Sequence, residues 1–390
     1  RGGFIAFLMS QPVLLGFTSG ASILIVASQL PKAFGVNAEG DTILERLVWT
    51  ITNPGAWDIA AIGFAIATIV IVVGGRRLSG LFPGVLVAVV AAIVLSELGS
   101  YSGAVVGQIP TGFPPVDLAL PWGSTLAMIP PAIVIALVGF AEPSAIARQY
   151  ATEERQRWDP NREFISQGAA NLASAVSGGF PVGGSFSRSS VNKLAGARTR
   201  VSGAITGFAV LMFLPVAFVL EVLPQAVLGG IVVAAVSKLI RPDQIVRMYR
   251  QSTLQAIIAS VTFIATLVLS PRIDLAIVIG VGLGVVIHLW REITTHVDAD
   301  FAGGTLTLMP AGVMFFGSAP GLFDSLIDVL AEHPETERIV LDLSRLGRLD
   351  YTGAAALREL MKDARLGGLE VEITQVPPQS QRIVEAVLSD

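Results

Sequence analysis

Apolar stretches of the length that a helix needs to cross a bilayer, about 20 residues, recur along the first three quarters of the sequence. They lie near residues 4–30, 57–75, 81–99, 124–147, 199–223, 226–240, 253–270 and 273–290, and each predicts a membrane-spanning helix. Between the fourth and fifth the pattern weakens. Neither "FISQGAANLASAVSGGF" nor "GSFSRSSVNKLAG" is apolar enough to face lipid, so these two glycine-interrupted pieces read as a buried, discontinuous pair of short segments.

From about Gly304 the period changes. "GTLTLMPAGVMFFG" predicts two short strands, "GLFDSLIDVLAEH" an amphipathic helix and "ERIVLDLSRL" a buried strand. A second helix in "TGAAALRELMKDARLGG", a strand in "LEVEITQV" and a third helix from "QSQRIVEAVLSD" follow. Strands alternating with helices at this spacing predict a small α/β domain.

Composition agrees with the pattern. Of the 390 residues 52% are hydrophobic and 14% charged, against roughly a quarter charged in ordinary globular domains, and the mean hydropathy is +0.68. The formal charge is −4, and no lysine-rich or arginine-rich run points to nucleic acid. Cysteine is absent, which excludes disulfides, thiolate metal sites and a cysteine nucleophile. Arg1 leads straight into an apolar span with no cleavage-site pattern, which reads as an N-terminal truncation and not as a signal peptide.

Basic residues orient the spans, because lysine and arginine accumulate in short cytoplasmic loops. With Arg1 inside, alternating the eight spans places fifteen lysines and arginines on that face and three, Lys32, Arg46 and Arg272, on the other. Seven more lie in the C-terminal region, which this orientation makes cytoplasmic. One of the 26, Arg188, belongs to no loop.

An ionisable side chain within the membrane costs at least about 2.5 to 3.5 kcal/mol, which makes it a functional candidate. Arg188 follows Gly184 by four residues, where "SFSRSSVNKLAG" reads as a short helix. If that helix opens inside the membrane, its first N–H groups, near Ser185, Phe186 and Ser187, form an anion site with the helix dipole, and Arg188 strengthens the field. The bland alternative is a surface loop with Arg188 in water. A phosphate-cradling loop is a poorer one, since Ser185 stands where that loop needs lysine.

Glu142 is the second candidate. It ends a long apolar run and precedes Pro143, which removes a backbone hydrogen bond and leaves a carbonyl free. Its carboxylate could take a proton or Na⁺, or balance Arg188. The alternative is a helix-end glutamate snorkelling to the loop at Arg148. The three histidines, His288, His296 and His333, form no metal-ligand cluster. No nucleophile elbow or paired carboxylates suggest an enzyme, and no cofactor motif is present.

Five pieces, "GFTSGASILIVASQL", "VVGQIPTGFP", "GFAEPSAIARQYA", "GGFPVGGSFSRSSVNKLAGARTRVSG" and "VLDLSRLGRLDYTGAAAL", resemble the SulP (sulfate permease) anion transporters, solute carrier family 26, whose cytoplasmic tail is a STAS domain. The resemblance implies fourteen membrane segments in two inverted repeats of seven, with the last ten present here. It divides the chain into a membrane part, 1–296, and a STAS domain, 304–390. Within the membrane part, 1–99 and 224–296 would be gate and 120–223 core. It implies an anion between two half-helices, contacted here by Ser185, Phe186 and Ser187 and anchored by Arg188, with Glu142 as a coupling site for Na⁺ or H⁺. The opposing half-helix would lie before residue 1.

The STAS resemblance extends to anti-sigma-factor antagonists, but Tyr351 replaces their phosphorylated serine in Asp350-Tyr351-Thr352-Gly353. Thr352 is left as a weaker regulatory candidate, and a plain helix cap by Asp350 or Thr352 is the alternative. The expectation is thus secondary transport of a sulfate-, bicarbonate- or dicarboxylate-class anion by an elevator-like homodimer in the cell membrane, with a possible protein partner at the STAS domain. A nucleobase–proton symporter of the same fold and a membrane-tethered STAS signalling protein are the rivals.

Overall fold

A computed structural model describes residues 10–110, 112–116, 122–293, 296–315 and 317–388. Residues 4–9 of the first expected span and 120–121 of the expected core part lie outside the described residues. The chain divides into two compact units, Arg1–Gly284 and Val285–Asp390.

In the first unit the eight expected spans appear as α1 (Gln11–Ala33), α3 (Ile59–Leu78), α4 (Gly84–Leu98), α5 (Thr125–Glu153), α8 (Val201–Phe213), α9 (Gln225–Val236), α11 (Thr253–Val268) and α12 (Ile273–Ile293). The division between the units falls inside α12. Short 3₁₀ turns extend α8 and α9 to Leu220 and Leu239. Among the described residues Gln11–Ala33, Trp122–Glu153, Val201–Leu220, Gln225–Gln251 and Ile273–Ile293 are long and apolar enough to cross a membrane, and Ile59–Gly75, Gly84–Leu98 and Thr253–Val268 are shorter apolar helices. The weak region forms α6 (Pro160–Val176) and α7 (Phe186–Leu194).

Two short helices escape the hydrophobic pattern, α2 (Ile43–Thr52) and α10 (Pro242–Gln251). The first opens with a capping box: Thr42 accepts from the Glu45 N–H at 3.2 Å, and the Glu45 carboxylate accepts from the Thr42 N–H at 3.2 Å.

Small residues let the helices close on one another, as packing within a membrane requires. A Cβ at Gly16 of α1 would stand 2.2 Å from the Ala259 carbonyl oxygen of α11, and one at Gly20 would stand 2.9 Å from the Thr266 Cβ. The two helices therefore touch backbone to backbone. Thr262 and Thr266 are fully buried in this seam, and each hydroxyl donates to the carbonyl four residues back at 2.7 Å. On the other side of α1, α9 packs through Gly229 and Gly230 against α1 and α3. Among the described residues no helix from α5 to α8 packs extensively against α1–α4 or α9–α12, whereas α5 packs on α6 and α7.

The chain leaves α4 and returns to α9 through paired segments. Val106 N–H donates to Leu223 O at 2.9 Å, Gly107 N–H to Glu221 O at 3.0 Å and Gln225 N–H to Ala104 O at 2.9 Å. Val105 and Pro224 thus form an antiparallel bridge.

The second unit is a mixed sheet with helices. Its strands are β1 (His296–Ala302), β2 (Thr305–Met314), β3 (Arg338–Asp342), β4 (Leu346–Leu349) and β5 (Glu370–Thr374), and its helices are α13 (Ala319–Glu332), α14 (Tyr351–Leu366) and α15 (Pro378–Leu388). The order is β1-β2-β3-β5, with β4 also on β2. β1 is antiparallel to β2, and the other pairs are parallel. Leu306, Leu308, Ile339, Leu341, Leu357 and Leu360 fill the core.

Two expectations need correction. The sheet begins at His296, before the boundary expected at 304, because "HVDADFA" carries too few apolar residues to read as a strand until its pairing with β2 is known. The two strands expected in 304–317 are one strand, interrupted at Gly312, where φ is +101° and the register shifts. There β2 passes from β3 to β4, so the chain changes partner within one strand.

Candidate functional site

Pro160 starts α6 behind Asp159, whose carboxylate accepts from the Asn161 N–H at 2.9 Å. The helix ends at Val176, and Gly178 turns the chain with φ +69°. An extended passage then leads to Ser185, the N-cap of α7, with φ −139° and ψ 127°. The first bond of α7 runs from the Ser189 N–H to Ser185 O at 2.9 Å. By helix geometry the N–H groups of Phe186, Ser187 and Arg188 have no acceptor within the helix.

Contacts with α5 fix the depth at which α7 opens. A Cβ at Gly183 would stand 3.1 Å from the Gly139 carbonyl oxygen, and one at Gly184 would stand 3.2 Å from the Pro143 ring. At the other end Lys193 Nζ lies 2.7 Å from Glu153, 3.7 Å from Glu154 and 4.1 Å from the centre of the Tyr150 ring. Both helices therefore run in the same direction. From Pro143 to Glu153 is about 15 Å of helix, so α7 opens about 15 Å along α5 from the Lys193–Glu153 pair.

Pro143 has no N–H to offer the Gly139 carbonyl, its partner in a regular helix. That carbonyl faces Gly183. Glu142 is exposed and one residue away, level with the opening of α7. Arg188, in the first turn of α7, is exposed too, and among the described residues no ion pair involves it. Of Phe186 and Ser187 the backbone is described, and their side chains lie outside the described residues.

Sequence reasoning missed a set of side chains on α6. Gln167, Asn171 and Ser174 hold the extended passage by hydrogen bonds to Phe180 and Val182. The one signal available was their spacing of four and three, which puts them on one helix face.

In the second unit Asp350 is the N-cap of α14, and its carboxylate accepts from the Gly353 N–H at 2.7 Å. A Cβ on Gly353 would stand 2.6 Å from Met314 O. Cap and packing thus explain Asp350 and Gly353, and they leave Tyr351 and Thr352 exposed. The two candidates Asp350 and Thr352 lie two residues apart at the start of α14, in a different unit from Arg188 and Glu142.

The family model described as the sulfate permease family matches residues 1–262, and that of the STAS domain matches residues 296–388. A relative, the probable sulfate transporter MT1781 of Mycobacterium tuberculosis (strain CDC 1551 / Oshkosh), is 30% identical over 276 residues, 68% of this chain and 49% of that protein. The structure of murine Slc26a9, an anion transporter in its inward-facing state, superposes with a TM-score of 0.86 at 19% identity over 98% of this chain and 67% of that one. The transmembrane domain of a cyanobacterial bicarbonate transporter, BicA, matches with a TM-score of 0.58 at 23% identity, over 72% of this chain and 71% of that one. The chain spans about half the length of the first of these relatives.

Proposed function

Because the chain belongs to the sulfate permease family and carries a STAS domain behind its membrane part, we propose that it is part of a secondary transporter for a small anion of the sulfate, bicarbonate or dicarboxylate class. The family consists of transport proteins and not enzymes, and the chain is an integral membrane protein. The names of the relatives, sulfate transporters and a bicarbonate transporter, support the substrate class.

The observation that carries the reading is that α7 opens against Gly139 and Pro143 of α5, beside the break that the proline makes in that helix. A helix N-terminus bears about half a positive charge, and one that opens mid-membrane beside a broken helix attracts an anion through bare N–H groups. Ser185, Phe186 and Ser187 would contact the anion, and Arg188 would supply the full positive charge that holds it. Glu142, level with the opening, would bind Na⁺ or H⁺ and couple its movement to that of the anion.

The packing supports an elevator-like motion. Helices α5–α8, within the core range 120–223, make little contact with the helices of the gate ranges 1–99 and 224–296. The movable part would hang from the paired segments around Val105 and Pro224. Assembly as a homodimer, residence in the cell membrane and a cytoplasmic STAS domain with a protein partner belong to the same proposal.

Uptake by the full-length protein in proteoliposomes tests it, with labelled sulfate, bicarbonate and dicarboxylates. Arg188→Ala is expected to abolish saturable uptake and Ser187→Ala to weaken it. Intact uptake in both variants would overturn the site. Glu142→Gln should remove the dependence on a Na⁺ or pH gradient while anion binding persists.

A further inference from the structure

The passage between α6 and α7 is extended, and extended backbone inside a membrane must find partners for its N–H and C=O groups. One face of α6 supplies them. Ser174 Oγ donates to Phe180 O at 2.7 Å, and the Ser174 carbonyl accepts from the Gly179 N–H at 2.7 Å. Asn171 takes both groups of one residue: its Oδ1 accepts from the Val182 N–H at 2.9 Å, and its Nδ2 donates to Val182 O at 3.0 Å. Gln167 Nε2 donates to the same carbonyl. Two residues of an antiparallel hydrogen-bonded pair exchange these same two bonds, so the Asn171 carboxamide stands in for a neighbouring β-strand.

The clamp acts close to the opening of α7. Val182 precedes the N-cap Ser185 by three residues, and the two glycines between them have no side chain of their own to hold. They lie against Gly139 and Pro143 of α5. The first turn of α7 is therefore located from two sides, by contact with α5 and by the amide clamp from α6. Without the clamp, Val182 would leave an N–H and a C=O unpaired, and the glycines would let the turn drift.

We propose that Asn171, with Gln167 as its second, is a positioning residue for the anion site: it touches no anion, and it sets where the N–H groups of Phe186 and Ser187 stand. This rests on the reading that the anion binds at the opening of α7.

The test uses the full-length protein in proteoliposomes with labelled sulfate as the probe. Asn171→Ala should raise KM for sulfate about tenfold, the factor that two lost hydrogen bonds of ordinary strength produce, with the maximal rate per folded transporter little changed. Asn171→Asp keeps the acceptor for the Val182 N–H and loses the donor while ionised. Protonation restores that donor, so its KM relative to wild type at the same pH should fall as pH is lowered. Hydrogen exchange supplies a readout independent of substrate: amides of residues 183–189 should exchange several-fold faster in Asn171→Ala. A loss of maximal rate at unchanged KM would overturn the proposal, whatever the exchange shows. Unchanged exchange would overturn it as well. If wild type shows no saturable uptake of sulfate, bicarbonate or a dicarboxylate, or if Arg188→Ala and Ser187→Ala both leave uptake intact, the anion-site reading fails, and accelerated exchange would still support the clamp.

Discussion

Gly184 lies against Pro143 so closely that a Cβ on the glycine would stand 3.2 Å from the Cβ and Cγ of the proline. This contact sets the level at which α7 opens beside α5. Methyl-sized additions there displace the first turn by a few tenths of an ångström, and larger ones displace it more. Gly184→Ala should weaken anion binding, and Gly184→Val should weaken it further and destabilise the protein by about 1–3 kcal/mol, as overpacking does. Sulfate affinity and thermal unfolding in detergent, measured on both variants, check the order.

Gly16 tests the seam between α1 and α11. Its Cβ position is 2.2 Å from a backbone oxygen, which cannot rotate away, whereas Gly63 of α3 has nothing within 4 Å of its own. Gly16→Ala should therefore cost at least about 1–3 kcal/mol. Gly63→Ala should cost nothing and gain up to about 1 kcal/mol from helix propensity. The pair of Tm values, one lowered and one held or raised, is the expected result.

At α14, three substitutions separate cap, packing and exposed surface. Asp350→Ala removes the bond to the Gly353 N–H and should cost about 1 kcal/mol. Gly353→Ala drives a methyl group into Met314 O at 2.6 Å and should cost more. Thr352→Glu puts a negative charge in the exposed first turn, where the helix dipole favours it, and should leave stability unchanged or slightly raised. Thermal unfolding of the three variants gives the ranking.

Tyr101 predicts a response to alkaline pH. Its hydroxyl donates to Asp58 Oδ2 at 3.2 Å, and its ring meets Phe64 edge to face at 5.2 Å. Burial first, and then the charge of the Asp58 carboxylate, push the phenol up to about 12 from its ordinary 10.0. A folded-state value raised in this way contributes stability that is complete below pH 10 and is lost as pH rises through 12. Ultraviolet titration of wild type against Tyr101→Phe should show one phenol ionising near pH 12, and the variant should lose that step and the stability loss that accompanies it.

Much of this was legible along the chain. The eight spans follow from hydropathy alone, because lipid demands a continuous apolar run that any window detects. The opening of α7 near Ser185 was readable from glycines followed by hydroxyls and an arginine that no loop claims. The helices and inner strands of the α/β unit follow from their periods. β1 was not readable, since it earns its place by pairing with β2 and not by its own apolar content. Asp350 could be read as a cap, yet the need for glycine at 353 depends on Met314, which is distant in sequence.

The sequence by itself determined the membrane class, the order of spans, the break before α7 and the α/β tail, because each is written in local period, hydropathy or composition. Only the tertiary structure decided that α7 opens beside Gly139 and Pro143, that Lys193 meets Glu153, and that Asn171 serves Val182 as a strand would. Those contacts join positions from 11 to 44 residues apart. Such pairs leave no periodic trace in one chain, since either partner alone is compatible with many neighbours, and the choice among them is made when the helices pack.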